Sequence, residues 1–232
     1  MSNYRRELET QGFAIIDRLF DARRSAAMRA ELEAFWRAAG SPPFDGWGFG
    51  IHPLVPKFPE MGKELIHPVI MEALREIFDE EAVCVHGGAR MANEHSAPSI
   101  DWHNHYSWDT ANLTTRTRCE RVLCGLYLSG SSVEAGPLTA VARSLNEPIG
   151  NAPALDDPRE IMVEAAAGSV VIFDTPLWHR AKAGTRAGIR SGFGGHYQPV
   201  SETRPHPEDN DVGNLAGAHA QNCGAGFQPA KI

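Results

Sequence analysis

Apolar and polar positions change period partway along the chain. Tyr4 to Gln11 reads as a short helix closed by Gly12, followed by a short apolar strand, Phe13-Ala14-Ile15-Ile16. Asp21 is placed to cap a longer helix that runs to Ala39, with Leu32, Phe35 and Trp36 on one face and Gly40 as its stop. Residues 41–66 are rich in Pro, Gly and aromatics and predict a loop bordering a pocket. Pro68 then opens a helix in which Val69, Ile70, Leu74, Ile77 and Phe78 keep the helical period.

From residue 82 the period becomes that of strands. The segments 82–91, 100–108, 121–128, 138–142, 160–164, 169–173 and 188–197 are predicted strands. Turn chemistry separates them, as in Ser129-Gly130-Ser131-Ser132 and Glu134-Ala135-Gly136-Pro137. Many short strands at close spacing predict a mainly β fold, an antiparallel barrel or a double-sheet jelly roll with helices packed on one sheet. The expected organisation is one jelly-roll domain with N-terminal helices over residues 1–200. A polar tail, rich in Gly, Ala, Pro and His and expected to be poorly ordered, follows over 201–232.

Composition narrows the class. At 232 residues, 42% hydrophobic and 22% charged, the chain can bury about 70% of its unfolded surface in one core. No apolar run approaches the ~20 residues of a membrane span, and Met1 to Glu7 is polar, so a cytoplasmic protein is expected. The formal charge of −7 argues against general nucleic-acid binding. Cys84, Cys119, Cys124 and Cys223 show no metal-site spacing and read as reduced thiols.

The chemistry concentrates in Asp101-Trp102-His103-Asn104-His105. Two histidines at i and i+2 on a strand point to one face, within reach of one metal ion. His179 follows a second strand-like run, 169–173, and a turn; a jelly roll can bring it beside the first pair. Asp101 and Asp109 are alternative carboxylate donors, and Asp101 is also a candidate to orient His103. His86, His95 and His196 occupy strand positions that can line the same cavity. His52, His67, His206 and His219 lie in loops and read as ordinary side chains.

Arg190 stands eleven residues after His179, on the predicted next strand. A guanidinium inside a barrel requires an anionic partner and suits a carboxylate bidentately. Metal and arginine together match a 2-oxo dicarboxylate, with Arg186 as the nearby competitor. Trp47, Trp102, Trp108, Tyr127 and Trp178 are candidates for the cavity wall, with Trp108 and Tyr127 taken as substrate-binding. Arg116, Arg118 and Arg121 read as a solvated flank, or else as a site for an anionic substrate group.

The segments LETQGFAIIDRLFDARRSAAMRAELEAF, WHNH, LYLSGSSVEAGPLTAVARSL and GSVVIFDTPLWHRAKAGTRAGIR resemble, in order, those of phytanoyl-CoA dioxygenase-like proteins over roughly residues 5–200. The resemblance implies a double-stranded β-helix (jelly-roll) enzyme using Fe(II), 2-oxoglutarate and dioxygen to hydroxylate a small organic substrate, with succinate as co-product. Carried over by position, His103 and His179 match the two family histidines, and Arg190 matches the arginine that binds 2-oxoglutarate.

His105 falls where the family has aspartate, giving His-x-His in place of His-x-Asp. A neutral imidazole leaves the metal complex one unit more positive but is itself a competent donor to iron. A halogenase variant does not fit, because His105 fills the position that such enzymes vacate for halide. Two other functions compete: a three-histidine metal oxygenase that does not use 2-oxoglutarate, and a catalytically silent jelly-roll binding protein.

Overall fold

A computed structural model describes residues 3–44, 48–93, 99–105 and 116–204, together with His206 and Asp209. The N-terminal elements form where their capping residues place them. Helix α1 (Tyr4–Gln11) starts at Asn3, whose side chain accepts the Arg6 N–H, and stops at Gly12 in the left-handed conformation, φ 87°. Strand β1 (Phe13–Ile16) follows. Helix α2 (Ala22–Ala38) is capped by the Asp21 carboxylate on the Arg24 N–H. The predicted loop over 41–66 contains more structure than its composition shows: β2 (Phe49–Ile51), α3 (Pro59–Lys63) and a 3-10 turn (Glu64–Ile66). Helix α4 (Pro68–Phe78) begins with Pro68 in its first turn and buries Ile70, Leu74, Ile77 and Phe78.

The remainder is β structure in chain order: β3 (Ala82–Ala92), β4 (Ser99–His103), β5 (Val122–Tyr127), β6 (Leu138–Val141), β7 (Glu160–Val163), β8 (Ser169–Asp174), β9 (His179–Lys182) and β10 (Arg190–Pro199). They form a six-stranded sheet, ordered β1-β8-β5-β10-β3-β2, and a four-stranded sheet, ordered β4-β9-β6-β7. Among the described residues, these strands pair antiparallel throughout. This is the jelly roll predicted from strand spacing.

Alternation along β8 shows how one sheet serves two cores. Val170 and Ile172 join the helix-side core with Leu8, Met28, Leu32, Leu74 and Phe193. Val171 and Phe173 face the other way, into a smaller cluster with Phe13, Leu138, Ala140 and Val163 from both sheets. The helices therefore close the outer face of the large sheet, and its inner face is left to oppose the small one. Cys84, Cys119 and Cys124 are buried free thiols, all pushed up by burial, the first two to about 12; Cys223 lies outside the described residues.

Candidate metal and cosubstrate site

His103 ends β4 and pairs across the small sheet with His179, the first residue of β9. The ring centroids are 4.2 Å apart. In each residue Nδ1–H donates to a carbonyl two residues earlier: His103 to Asp101 O (2.9 Å) and His179 to Leu177 O (2.8 Å). Both imidazoles are thereby fixed in the tautomer that presents Nε2 as an acceptor.

His105 reaches the same point by another route. Strand alternation was expected to align it with His103, but β4 ends at His103 and its register is irregular between Ile100 and His103. His105 instead lies in irregular chain, its peptide N–H donating to Thr175 O at 2.8 Å. Its ring lies 5.2 Å from that of His103 and 5.1 Å from that of His179. One nitrogen from each of the three histidines lies within 4.8 Å of the others, the one such group with metal-holding potential among the described residues. The Asp101 side chain is exposed and not in this group, so it is the Asp101 carbonyl that orients His103. Asp109 lies outside the described residues.

Burial, reinforced by His103 and His105, pushes the His179 pKa well below its ordinary 6.5, so the ring is a neutral donor at pH 7. Three imidazoles are a competent set for a divalent transition metal, and a carboxylate-free one.

The triad opens into a cavity of about 360 Å³ between the two sheets, lined by Leu138 and Ala181 of the small sheet and by β3, β5 and β10 of the large one. His86 and His196, predicted to line it, do so, and His52 lines it with them; His95 is outside the described residues. Cross-strand partners Gly88, Gly194 and Gly125 form a bare row along the cavity floor. At Gly88 a Cβ would lie 2.3 Å from the His52 ring, so the missing side chain makes room for that imidazole. Sequence reasoning passed over His52 as a loop residue; the glycines opposite it gave no signal without the strand register.

Arg190, at the start of β10, enters the same cavity. Its Nη1 donates to Lys182 O at 2.8 Å, and burial pulls its pKa down from 12.5. Gly136 makes this placement possible: its φ is +91°, and a Cβ there would lie 1.6 Å from Arg190 Nη1. Arg186, the competitor, is exposed and does not line this cavity. Tyr127 lines it, its hydroxyl pushed up to about 12 by burial; Trp108 and Trp47 lie outside the described residues. Trp102 and Trp178 do not line the cavity. Their indole N–H groups are spent on Ala154 O and Ile149 O, each at 3.0 Å.

The reading of Arg116 and Arg121 as solvated or substrate-facing needs correction. Both are buried: Arg116 pairs with buried Asp174, and Arg121 donates to Gln198, His196 Nδ1 and Asp209. Of the run, Arg118 alone is exposed. Three nearby arginines in sequence look like a surface patch until folding supplies carboxylates from distant segments.

The family model for phytanoyl-CoA dioxygenase matches residues 8–192. The chain belongs to the phytanoyl-CoA dioxygenase family. Membership brings the family's cofactors, ferrous iron and 2-oxoglutarate. The fold is shared with HygX from Streptomyces hygroscopicus, solved with nickel and 2-oxoglutarate bound (TM-score 0.69, 17% identity, covering 88% of this chain and 89% of HygX). It is shared too with the non-heme alpha ketoglutarate dependent carbocyclase SnoK from nogalamycin biosynthesis (TM-score 0.70, 18% identity, 90% and 89% covered). The epimerase SnoN of the same biosynthesis is also similar (TM-score 0.66, 18% identity, 87% and 84% covered). No curated protein matches the chain by sequence. As a member of the phytanoyl-CoA dioxygenase family the chain is an enzyme of the Fe(II)/2-oxoglutarate type. Among the described residues, no helix is long and apolar enough to cross a membrane.

Proposed function

We propose that the protein is a hydroxylase for a small organic substrate. His103, His105 and His179 hold Fe(II), and Arg190 takes the far carboxylate of 2-oxoglutarate. The observation that carries this reading is the convergence of three histidine nitrogens on the cavity that Arg190 also enters. Iron and 2-oxoglutarate supply the oxidising chemistry: one oxygen atom of O2 goes to a substrate C–H, the other to succinate, and CO2 leaves.

The chain's own residues do the positioning. The Asp101 and Leu177 carbonyls orient two of the imidazoles. Gly136 and Lys182 hold the Arg190 guanidinium in place. Tyr127, with the bare glycine row beside it, forms a wall against which a substrate body can lie. Trp108 belongs to the same proposal from sequence alone. The substrate is a small molecule that fits a cavity of this size, with dioxygen as co-substrate.

The test is anaerobic titration of the ferrous protein with 2-oxoglutarate. A metal-to-ligand charge-transfer absorption that saturates with 2-oxoglutarate supports the reading; metal-loaded protein without that band overturns it. The all-histidine donor set favours one second reading, a three-histidine oxygenase in which Arg190 holds a substrate carboxylate instead. That reading predicts oxygen consumption with no succinate formed.

A further inference from the structure

Hydrogen bonds hold the rings of His103 and His179, and at His105 the peptide group is itself held on both sides. On one side its N–H donates to Thr175 O. On the other its carbonyl accepts a hydrogen bond from His206 Nε2 at 3.1 Å. A carbonyl only accepts, so His206 carries its proton on Nε2 in this contact. His206 lies 101 residues further along the chain. It is nevertheless 5% exposed.

His206 and Asp209 are hydrogen-bonded to each other twice. The His206 N–H donates to Asp209 Oδ2 at 3.0 Å, and the Asp209 N–H donates to His206 O at 2.9 Å. The other carboxylate oxygen, Oδ1, accepts from Arg121 Nη2 at 2.7 Å. Arg121 is fully buried, and the same Nη2 lies 3.0 Å from His196 Nδ1. The His196 ring in turn sits 5.1 Å from that of His105. The segment therefore touches the site twice, at the peptide of His105 and, through Arg121, at the ring packed beside it.

We propose that His206, locked by Asp209, is a positioning residue for the third metal ligand: docking of this C-terminal segment sets where His105 stands and thereby how tightly the metal is held. The proposal rests on the assignment of His105 as a ligand. His105 needs such a clamp because it lies past the end of β4, where no ladder fixes the backbone. A ligand whose peptide can drift loses the preorganisation that gives a metal site its affinity.

The full-length chain is tested with Co(II), which reports on its donors through its d–d absorption. His206→Leu removes the donor, and His206→Gln restores an N–H at the end of a side chain of similar reach. Removing an outer-shell partner typically lowers metal affinity about 10- to 100-fold. His206→Leu is expected to weaken Co(II) binding at least about tenfold and to change the d–d spectrum, with the metal-free far-UV spectrum unchanged. His206→Gln is expected to recover most of both.

Wild-type affinity and spectrum in His206→Leu overturn the proposal, as does equal damage from both substitutions, which indicates packing alone. A wild-type measurement stands if the leucine variant does not fold. By linkage, metal binding must tighten the segment as much as the segment tightens the metal. Hydrogen exchange in a peptide spanning 203–210 should slow on Co(II) addition, and no change overturns the proposal. Failure of the underlying assignment looks different: His105→Ala then keeps Co(II) binding that His103→Ala loses.

Discussion

His103 and His179 face each other across the β4–β9 ladder, at the point where both strands meet the cavity, with ring centroids 4.2 Å apart. The ladder fixes both backbones, and a carbonyl fixes each ring. These two residues sit on the ladder, whereas His105 lies in irregular chain beyond the end of β4. Replacing either of the first two by alanine is expected to abolish stoichiometric Fe(II) binding, read as metal content after desalting. His105→Asp, which installs the family's carboxylate, is expected to retain or strengthen Fe(II) binding. Loss of iron from a folded His105→Asp protein would show a site built around three imidazoles.

The fold was legible because jelly-roll strands carry their own punctuation, and Gly12, Asp21 and Pro68 are local signals of where helices stop and start. His103, His179 and Arg190 were legible through their order and spacing. Other features depend on contacts between distant segments. His105 converges through the Thr175 carbonyl and not through strand alternation. Arg116 finds Asp174, 58 residues away, and Arg121 finds Asp209, 88 away. No local pattern encodes such pairs, and for this reason an arginine run that reads as surface folds into the interior.

Gly136 and Arg190 share one volume, and the glycine exists for the guanidinium. Gly136→Ala would place a methyl group 1.6 Å from Arg190 Nη1, at a φ that side chains rarely adopt. It is expected to weaken 2-oxoglutarate binding at least about tenfold, roughly 1.4 kcal/mol, by displacing the guanidinium. Arg190→Ala should weaken it further. Calorimetric titration of metal-loaded protein checks both, and metal affinity should change little in either. Equal loss of metal and 2-oxoglutarate binding would remove Arg190 from its assigned role.

Asp174 is 1% exposed and accepts from Arg116, with Arg143 Nη1 3.6 Å away and the Cys119 thiol at 3.5 Å. Burial, with Arg116 beside it, pulls the Arg143 pKa down to about 10. Two buried guanidinium groups thus lie against this carboxylate, at the end of β8 just before Thr175, whose carbonyl accepts from His105 N–H. Removing one partner of a buried ion pair costs about 3–5 kcal/mol, because the remaining charge stays out of water. Asp174→Asn is expected to destabilise by that amount in urea unfolding. Glu60→Gln, in the exposed pair with Lys63, should be nearly neutral.

Glu160 contributes pH dependence in the acid range. It lies on β7, two strands from β9, and its carboxylate accepts from Arg180 Nε and Nη2 at 3.0 and 2.6 Å while pairing with Lys182 Nζ at 2.7 Å. Burial alone would raise its pKa, but the hydrogen bonds from Arg180 and Lys182 outweigh burial and hold it at about 2, against an ordinary 4.5. A carboxylate depressed in the folded state adds stability that is fully present above its unfolded pKa and lost as pH falls through the folded one. The contribution is therefore complete above about pH 5 and disappears between about pH 4.5 and 2. Its size is at most about 3 kcal/mol, at about 1.4 kcal/mol per pH unit. In Glu160→Gln the unfolding free energy at pH 7 should drop toward the wild-type value at low pH, and the difference between the two proteins should shrink steadily as pH falls from 4.5 to 2. A constant difference across that range would mean that Glu160 contributes through packing of the β7 edge and not through its charge.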